Sequence, residues 1–133
     1  LSLEQQVIQF NETYKPDQRN LVAAIPDPEG MQAWVSIVGE EFQELHEAYE
    51  AGDIVQYYDA CIDVIYAMAQ QMNLYGFPID LGLREVQRSN MSKLDEDGKP
   101  IIREDGKVLK GPNFSEPDFK KILEDQVENN STC

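Results

Sequence analysis

A chain of 133 residues, 41% hydrophobic and 27% charged, has room for one domain with a real core, and its composition excludes a disordered polymer. No apolar run approaches the roughly 20 residues of a membrane span, and a net charge of −14 disfavours nonspecific binding to nucleic acid, whose phosphates need a basic surface. Cys61 in an apolar stretch and Cys133 at the end of the chain make neither a disulfide framework nor a metal-ligand spacing. LSLEQQVIQF lacks the basic start and long apolar centre of a signal peptide, so the expectation is a cytoplasmic protein with neither membrane nor nucleic acid as partner. The charge is also divided along the chain. Every one of the 11 basic residues lies at or before Arg19 or at or after Arg84, while residues 20–83 carry 11 acidic ones.

In chain order, Ser2 and Gln5 occupy capping-box positions ahead of Leu3, Val7, Ile8 and Phe10, which predicts a short first helix. From Asn11 to Pro26 the pattern breaks, with Pro16, Asp17 and Asn20 typical of an irregular connection. Asp27 followed by Pro28 reads as a helix cap with proline in the first turn. Met31, Trp34, Val35, Val38, Phe42, Leu45 and Tyr49 recur at three- to four-residue spacing behind it, which predicts a long helix ending near Ala51 at Gly52. Asp53 caps the next helix, whose stripe runs through Ile54, Tyr58, Cys61, Ile62, Ile65, Met68, Ala69 and Met72. So short a turn requires the two to pack antiparallel. A further helix is expected from after Asp80 to about Lys93. Asp97-Gly98 and Asp105-Gly106 are turn dipeptides, and PIIREDGKVLK predicts a β-hairpin around the second. A short helix, FKKILED, follows Asp118. The expected architecture is all-α with a short C-terminal hairpin, one domain over residues 1–125 and a loose tail over 126–133.

GEEFQELHEAYEAGD, Gly39 to Asp53, concentrates acid without a neighbouring base. At about 100° per residue, Glu41 and Glu44 lie roughly 60° apart and border the apolar stripe, whereas Glu47 and Glu50 fall on a solvated face. On the next helix, the only charged residues from Ile54 to Tyr75 are Asp59 and Asp63, at i and i+4. Carboxylates at the edge of a core must be protonated or matched by a cation. A divalent ion meets that need, and oxygen-only ligands favour Mg²⁺, with Mn²⁺ as substitute.

EExxEL (Glu40 to Leu45), followed by DxxxDVxY (Asp59 to Tyr66), resembles the all-α nucleoside triphosphate pyrophosphohydrolases: the MazG family and its relatives, the phosphoribosyl-ATP pyrophosphohydrolases and dimeric dUTPases. EVQRSNMSKLDEDGKPIIREDGKVLKGPNF is similar to the C-terminal part of small stand-alone bacterial and phage members, and the resemblance spans roughly residues 28–118. It implies a helical bundle assembled as a homodimer or a dimer of dimers, and hydrolysis of an NTP or dNTP to the monophosphate and pyrophosphate. Carried over by position, it makes Glu41, Glu44 and Asp63 metal ligands and gives Glu40 the attacking water. The family's second pair is ExxD, but Ala60 stands three residues before Asp63, which leaves Asp59 as the available substitute. Relatives act on pyrimidine or guanine nucleotides, and the expectation leans to a purine dNTP such as dGTP.

A triphosphate needs its charge shielded and a water aligned before a phosphoanhydride bond breaks. Asn90 and Lys93, at i and i+3, suit the distal phosphates, with Arg88 and Lys110 as further candidates. His46 lacks an ExxH partner and reads as surface, and Trp34 reads as core rather than as a base-stacking group. The alternative is a non-catalytic acidic helical module of the same fold that binds a basic partner.

Overall fold

In a computed structural model, which describes residues 1–131, the capping box at Ser2 and Gln5 forms at both hydrogen bonds. Ser2 Oγ accepts from the Gln5 N–H at 3.2 Å, and Gln5 Oε1 from the Ser2 N–H at 2.8 Å. They open the first of five α-helices: α1 Leu3–Tyr14, α2 Pro28–Ala51, α3 Ile54–Leu74, α4 Ile79–Met91 and α5 Phe119–Ser131. The described residues form no strand, and no helix among them is long and apolar enough to cross a membrane. The chain divides into two compact units, Leu1–Ile79 and the residues from Asp80 on.

In the first unit, α3 packs against both α1 and α2. The α2–α3 junction forms as the sequence predicts. Gly52 takes the left-handed conformation at φ 64°, and its N–H reaches the carbonyls of Ala48 and Tyr49. The Asp53 carboxylate then accepts from the N–H groups of Val55 and Gln56, satisfying amides that a helix start leaves open. Val7, Ala69 and Ile79 are buried together beneath Leu3, Tyr66 and Met72, and Val38, Ala48 and Ala60 are buried elsewhere along the helices.

Between α1 and α3 the interior is polar. Asn11 Nδ2 donates to the Gln70 carbonyl and to Asn73 Oδ1, both at 3.0 Å, while Gln70 Nε2 donates back to Asn11 Oδ1 at 2.8 Å. Gln71 Nε2 closes the network on Gln70 Oε1 at 2.8 Å. The irregular connection after α1 is tied to the end of α3 by the Asn20 N–H to the Leu74 carbonyl and the Ala24 N–H to the Tyr75 carbonyl. Gly76 permits that approach: it sits at φ 83°, and a Cβ there would stand 2.7 Å from the Val22 carbonyl oxygen.

The second unit corrects the C-terminal reading. The expected hairpin strands reduce to one antiparallel bridge, Ile102 with Val108, around a turn at Gly106 with φ 90°. The reversal keeps the Arg103 N–H to Lys107 and Leu109 N–H to Ile101 bonds, but a two-residue pairing does not make a ladder. Helix α4 begins at Ile79 and ends at Met91, short of Lys93. Helix α5 continues to Ser131, into the stretch expected to be a loose tail; Thr132 and Cys133 lie outside the described residues. Cys61 is a half-buried free thiol.

Candidate metal centre

Antiparallel packing of α2 on α3 turns separate sequence positions into one constellation. Glu41 and Glu44, three residues apart on α2, share a face, and Asp63 of α3 meets them. Each offers one carboxylate oxygen, and these three oxygens lie within 4.8 Å of one another. Oxygens on opposite sides of Mg²⁺, each at 2.0–2.1 Å, stand about 4 Å apart, so modest side-chain adjustment closes this triad on an ion of that size.

The electrostatics show why a cation is wanted. Glu41 is half-buried, and its Oε2 is one of only two solvent-excluded side-chain polar atoms without a hydrogen-bond partner among the described residues, the other being Arg19 Nε. Burial, first, and the carboxylates of Glu44, Asp63 and Glu40 after it push Glu41 above the usual glutamate range. Such a carboxyl is either protonated or held by a positive ion. The donor set of three carboxylates without sulfur or nitrogen fits a hard divalent ion.

The structure separates the other predicted residues. Glu40 is exposed beside the triad and within electrostatic reach of Glu41. Asp59 is not part of the triad; it is exposed, in a shallow groove lined by Ile54, Val55, Tyr58 and Ile62. Ala60 is buried at 2% exposure, a position where a glutamate would have to desolvate or find a ligand.

In the second unit, Asn90 is exposed on the last turn of α4. Lys93 follows the helix, its N–H bonded back to the Asn90 carbonyl at 3.3 Å, and its half-buried side chain has no ion-pair partner among the described residues. Arg88 is occupied: its Nε and Nη2 donate to Glu85 at 2.7 and 2.9 Å, and Nη2 also to the Glu116 carbonyl at 3.0 Å. Lys110 Nζ sits 4.6 Å over the Phe114 ring. His46 is exposed and 3.5 Å from Glu50, as a surface residue. Trp34 is half-buried, stacks on Tyr75 at 5.6 Å and donates from Nε1 to Met68 Sδ at 3.3 Å.

Sequence reasoning missed the amides of α1 and α3, since nothing in the apolar periodicity marks Asn11, Gln70 and Asn73 as buried. The signal available was their spacing: Gln70 and Asn73 lie at i and i+3 on α3, as a shared partner requires.

Against this geometry, a family model described as phosphoribosyl-ATP pyrophosphohydrolase matches residues 7–90. The match takes in α1 from Val7 on, all of α2 and α3 with the three triad carboxylates, and α4 as far as Asn90; it begins well before residue 28 and ends ahead of the bridge and α5. No curated protein matches the chain.

Proposed function

We propose that this chain, which belongs to the phosphoribosyl-ATP pyrophosphohydrolase family, hydrolyses a nucleoside triphosphate to the monophosphate and pyrophosphate with Mg²⁺ held by Glu41, Glu44 and Asp63. The family lies within the MazG-like all-α pyrophosphohydrolases, hydrolases of phosphoanhydride bonds. The observation that carries the finer reading is the orphaned Glu41 Oε2 inside a cluster of carboxylates: the site already contains the charge that a divalent ion would balance. When bound, such an ion shields phosphate charge and holds phosphate oxygens in place.

The chain's own residues do the rest. Glu40, exposed and next to Glu41, accepts the proton of the attacking water; its freedom from the triad leaves it a base rather than a ligand. The water oxygen bonds to phosphorus, the bridging P–O bond breaks, and its electron pair leaves on the departing phosphate oxygen. Asn90 and Lys93 are the proposed phosphate-binding groups of the second unit, with Lys110 as a lesser one. Arg88 serves to hold α4 to the segment before α5. The proposed substrate is a dNTP, with a lean to a purine such as dGTP, and the proposed assembly is a homodimer or homotetramer.

One observation favours the alternative of a binding module without turnover: Ala60 stands where the family's second glutamate is expected, and Asp59 is outside the triad. Incubation with each dNTP and Mg²⁺, read out as released pyrophosphate, separates the two. Release that depends on Mg²⁺ and is lost in Glu44→Gln supports the hydrolase; no release with any nucleotide leaves the binding module.

A further inference from the structure

Segment 111–118 of the second unit forms neither helix nor strand, yet it is fastened to α4 along most of its length. It runs antiparallel to the helix. The Asp118 N–H donates to Glu85 Oε2 at 2.7 Å, the Glu116 carbonyl accepts from Arg88 Nη2 at 3.0 Å, and the Ser115 N–H donates to Ser92 Oγ at 2.9 Å. Glu85, Arg88 and Ser92 stand at i, i+3 and i+7, a spacing that puts them on one side of α4 and the turn after it. Each is itself held. Arg88 forks onto Glu85, and Ser92 Oγ donates to the carbonyl of the buried Ser89 at 2.6 Å. Pro112 and Pro117 stiffen the segment further by fixing φ.

The near end of the segment carries the chemical consequence. Gly111 lies directly on the backbone at Lys93 and Leu94: a Cβ there would stand 2.8 Å from the Lys93 carbonyl oxygen and closer still to that of Leu94. Only a residue without a side chain permits that approach, and it brings the backbone of Lys110 beside that of Lys93. Phe114, whose N–H donates to the Gly111 carbonyl at 3.2 Å, holds Lys110 Nζ 4.6 Å over its ring, which restrains an otherwise flexible side chain. Lys120 and Lys121 pair with Glu124 and Asp125, but Lys93 and Lys110 form no ion pair with a carboxylate among the described residues. Two unneutralised cations meeting at one crossing, in a chain of net charge −14, suit an external anion.

We infer that Glu85, Arg88 and Ser92 are positioning residues: they touch no ligand, and by fastening segment 111–118 they hold Lys110 beside Lys93 as a preformed two-lysine site for the phosphates of the substrate. The inference rests on the phosphate-binding role proposed for Lys93 and Lys110, and it makes Lys110 half of that site. Arg88, spent on Glu85 and the Glu116 carbonyl, acts only through the segment it holds. The gain is preorganisation. A lysine on a loose loop gives up rotamer and backbone freedom when it meets an anion, and one already fixed by its fold does not.

The test is a double-mutant cycle on the full chain with Mg²⁺, read as KM and kcat for the dNTP that wild type cleaves best. Lys110→Ala should raise KM about tenfold, as loss of a charge-assisted contact does. Arg88→Ala and Ser92→Ala should each raise KM by about three- to tenfold with kcat within about twofold, and Ser92→Thr, which keeps the hydroxyl, should restore it. The Arg88 side chain is 46% exposed, so its removal opens no core. Adding Arg88→Ala to Lys110→Ala should change KM by less than about twofold, because a residue that acts through Lys110 then has nothing to position. Equal effects of Arg88→Ala in both backgrounds, or none in either, overturn the inference. Should wild type release no pyrophosphate from any dNTP, the hydrolase reading fails by itself, and the same four proteins, ¹³C-labelled at lysine, are titrated with inorganic pyrophosphate. Shifts of the Lys93 and Lys110 ε-methylenes in wild type, weakened by Arg88→Ala only where Lys110 is present, sustain the site. No shift of either lysine, or equal weakening in both backgrounds, overturns it.

Discussion

Glu41 sets the chemistry of the proposed site because it cannot be left charged and alone. Its proton affinity is raised by burial and by Glu44, Asp63 and Glu40, so at pH values from the ordinary glutamate range up to its own, the folded metal-free chain holds a proton that the unfolded chain has released. Stability of the metal-free protein therefore falls as pH rises through that window. Mg²⁺ displaces the proton, so the rise in Tm on adding metal should grow with pH over the same interval. At free metal one hundred times its Kd, the gain is about 2.7 kcal/mol. Thermal melts with and without millimolar Mg²⁺ across acidic to neutral pH check this, and a metal effect independent of pH would remove Glu41 from the site. Substitutions then separate the roles. Glu44→Gln should lose the metal-induced Tm shift and activity together, because a neutral amide is a poor replacement for an anionic ligand. Glu40→Gln should keep the Tm shift and lose turnover by roughly a hundredfold or more, the usual range for removing a positioned base. Asp59→Asn, outside the triad, should leave both within a few-fold of wild type; if it behaves as Glu44→Gln does, Asp59 has taken over from the glutamate missing at Ala60.

At the scale of elements, local rules and long-range packing divide the work. The starts of α1, α2 and α3 and the end of α2 were legible because caps act through neighbours in sequence: Ser2, Asp27, Gly52 and Asp53 each satisfy amides or carbonyls within a few residues, whereas α1 runs to Tyr14, past the break expected at Asn11. The triad was legible because apolar periodicity fixes which face of α2 meets α3, and Glu41, Glu44 and Asp63 border that face. The Asn11 network was not legible, since an amide reads as polar surface until its partner, 59 to 62 residues away, is known. The hairpin was over-read for the opposite reason. Its turn dipeptide is local and forms, but a ladder needs cross-strand partners that Ile102 and Val108, both exposed, do not continue. Asn11→Leu tests the network. It would strand the Gln70 Nε2 donor and the Asn73 acceptor, each costing about 1–3 kcal/mol when buried unpaired, so urea unfolding should show a loss of at least about 2 kcal/mol at unchanged m. Loss below about 0.5 kcal/mol would mean that water replaces the amide.

Across the whole molecule, the apolar stripes of α2 and α3 exceed what the chain covers. Ile54 is 82%, Tyr58 66%, Phe42 55% and Ile65 54% exposed, and Ile54, Val55, Tyr58 and Ile62 form the walls of an open groove along α3. Contiguous apolar surface of this kind marks an interaction face. Helices that are apolar beyond their buried stripe are stabilised by burying it against other helices. The same helices carry the triad, so a second copy seated on them would also stiffen the carboxylates that hold metal. We predict a homodimer or homotetramer in solution, against a monomer mass of 15.2 kDa, with a Tm that rises with protein concentration as mass action requires. Tyr58→Asp combined with Ile65→Asp places two charges in that face and should shift the mass by light scattering toward the monomer at micromolar protein, with weaker Mg²⁺ binding as its companion. Both residues are already exposed in the single chain, so their replacement costs a lone monomer little. A wild-type mass of one chain at micromolar concentration would refute the assembly and leave the apolar face to a different partner.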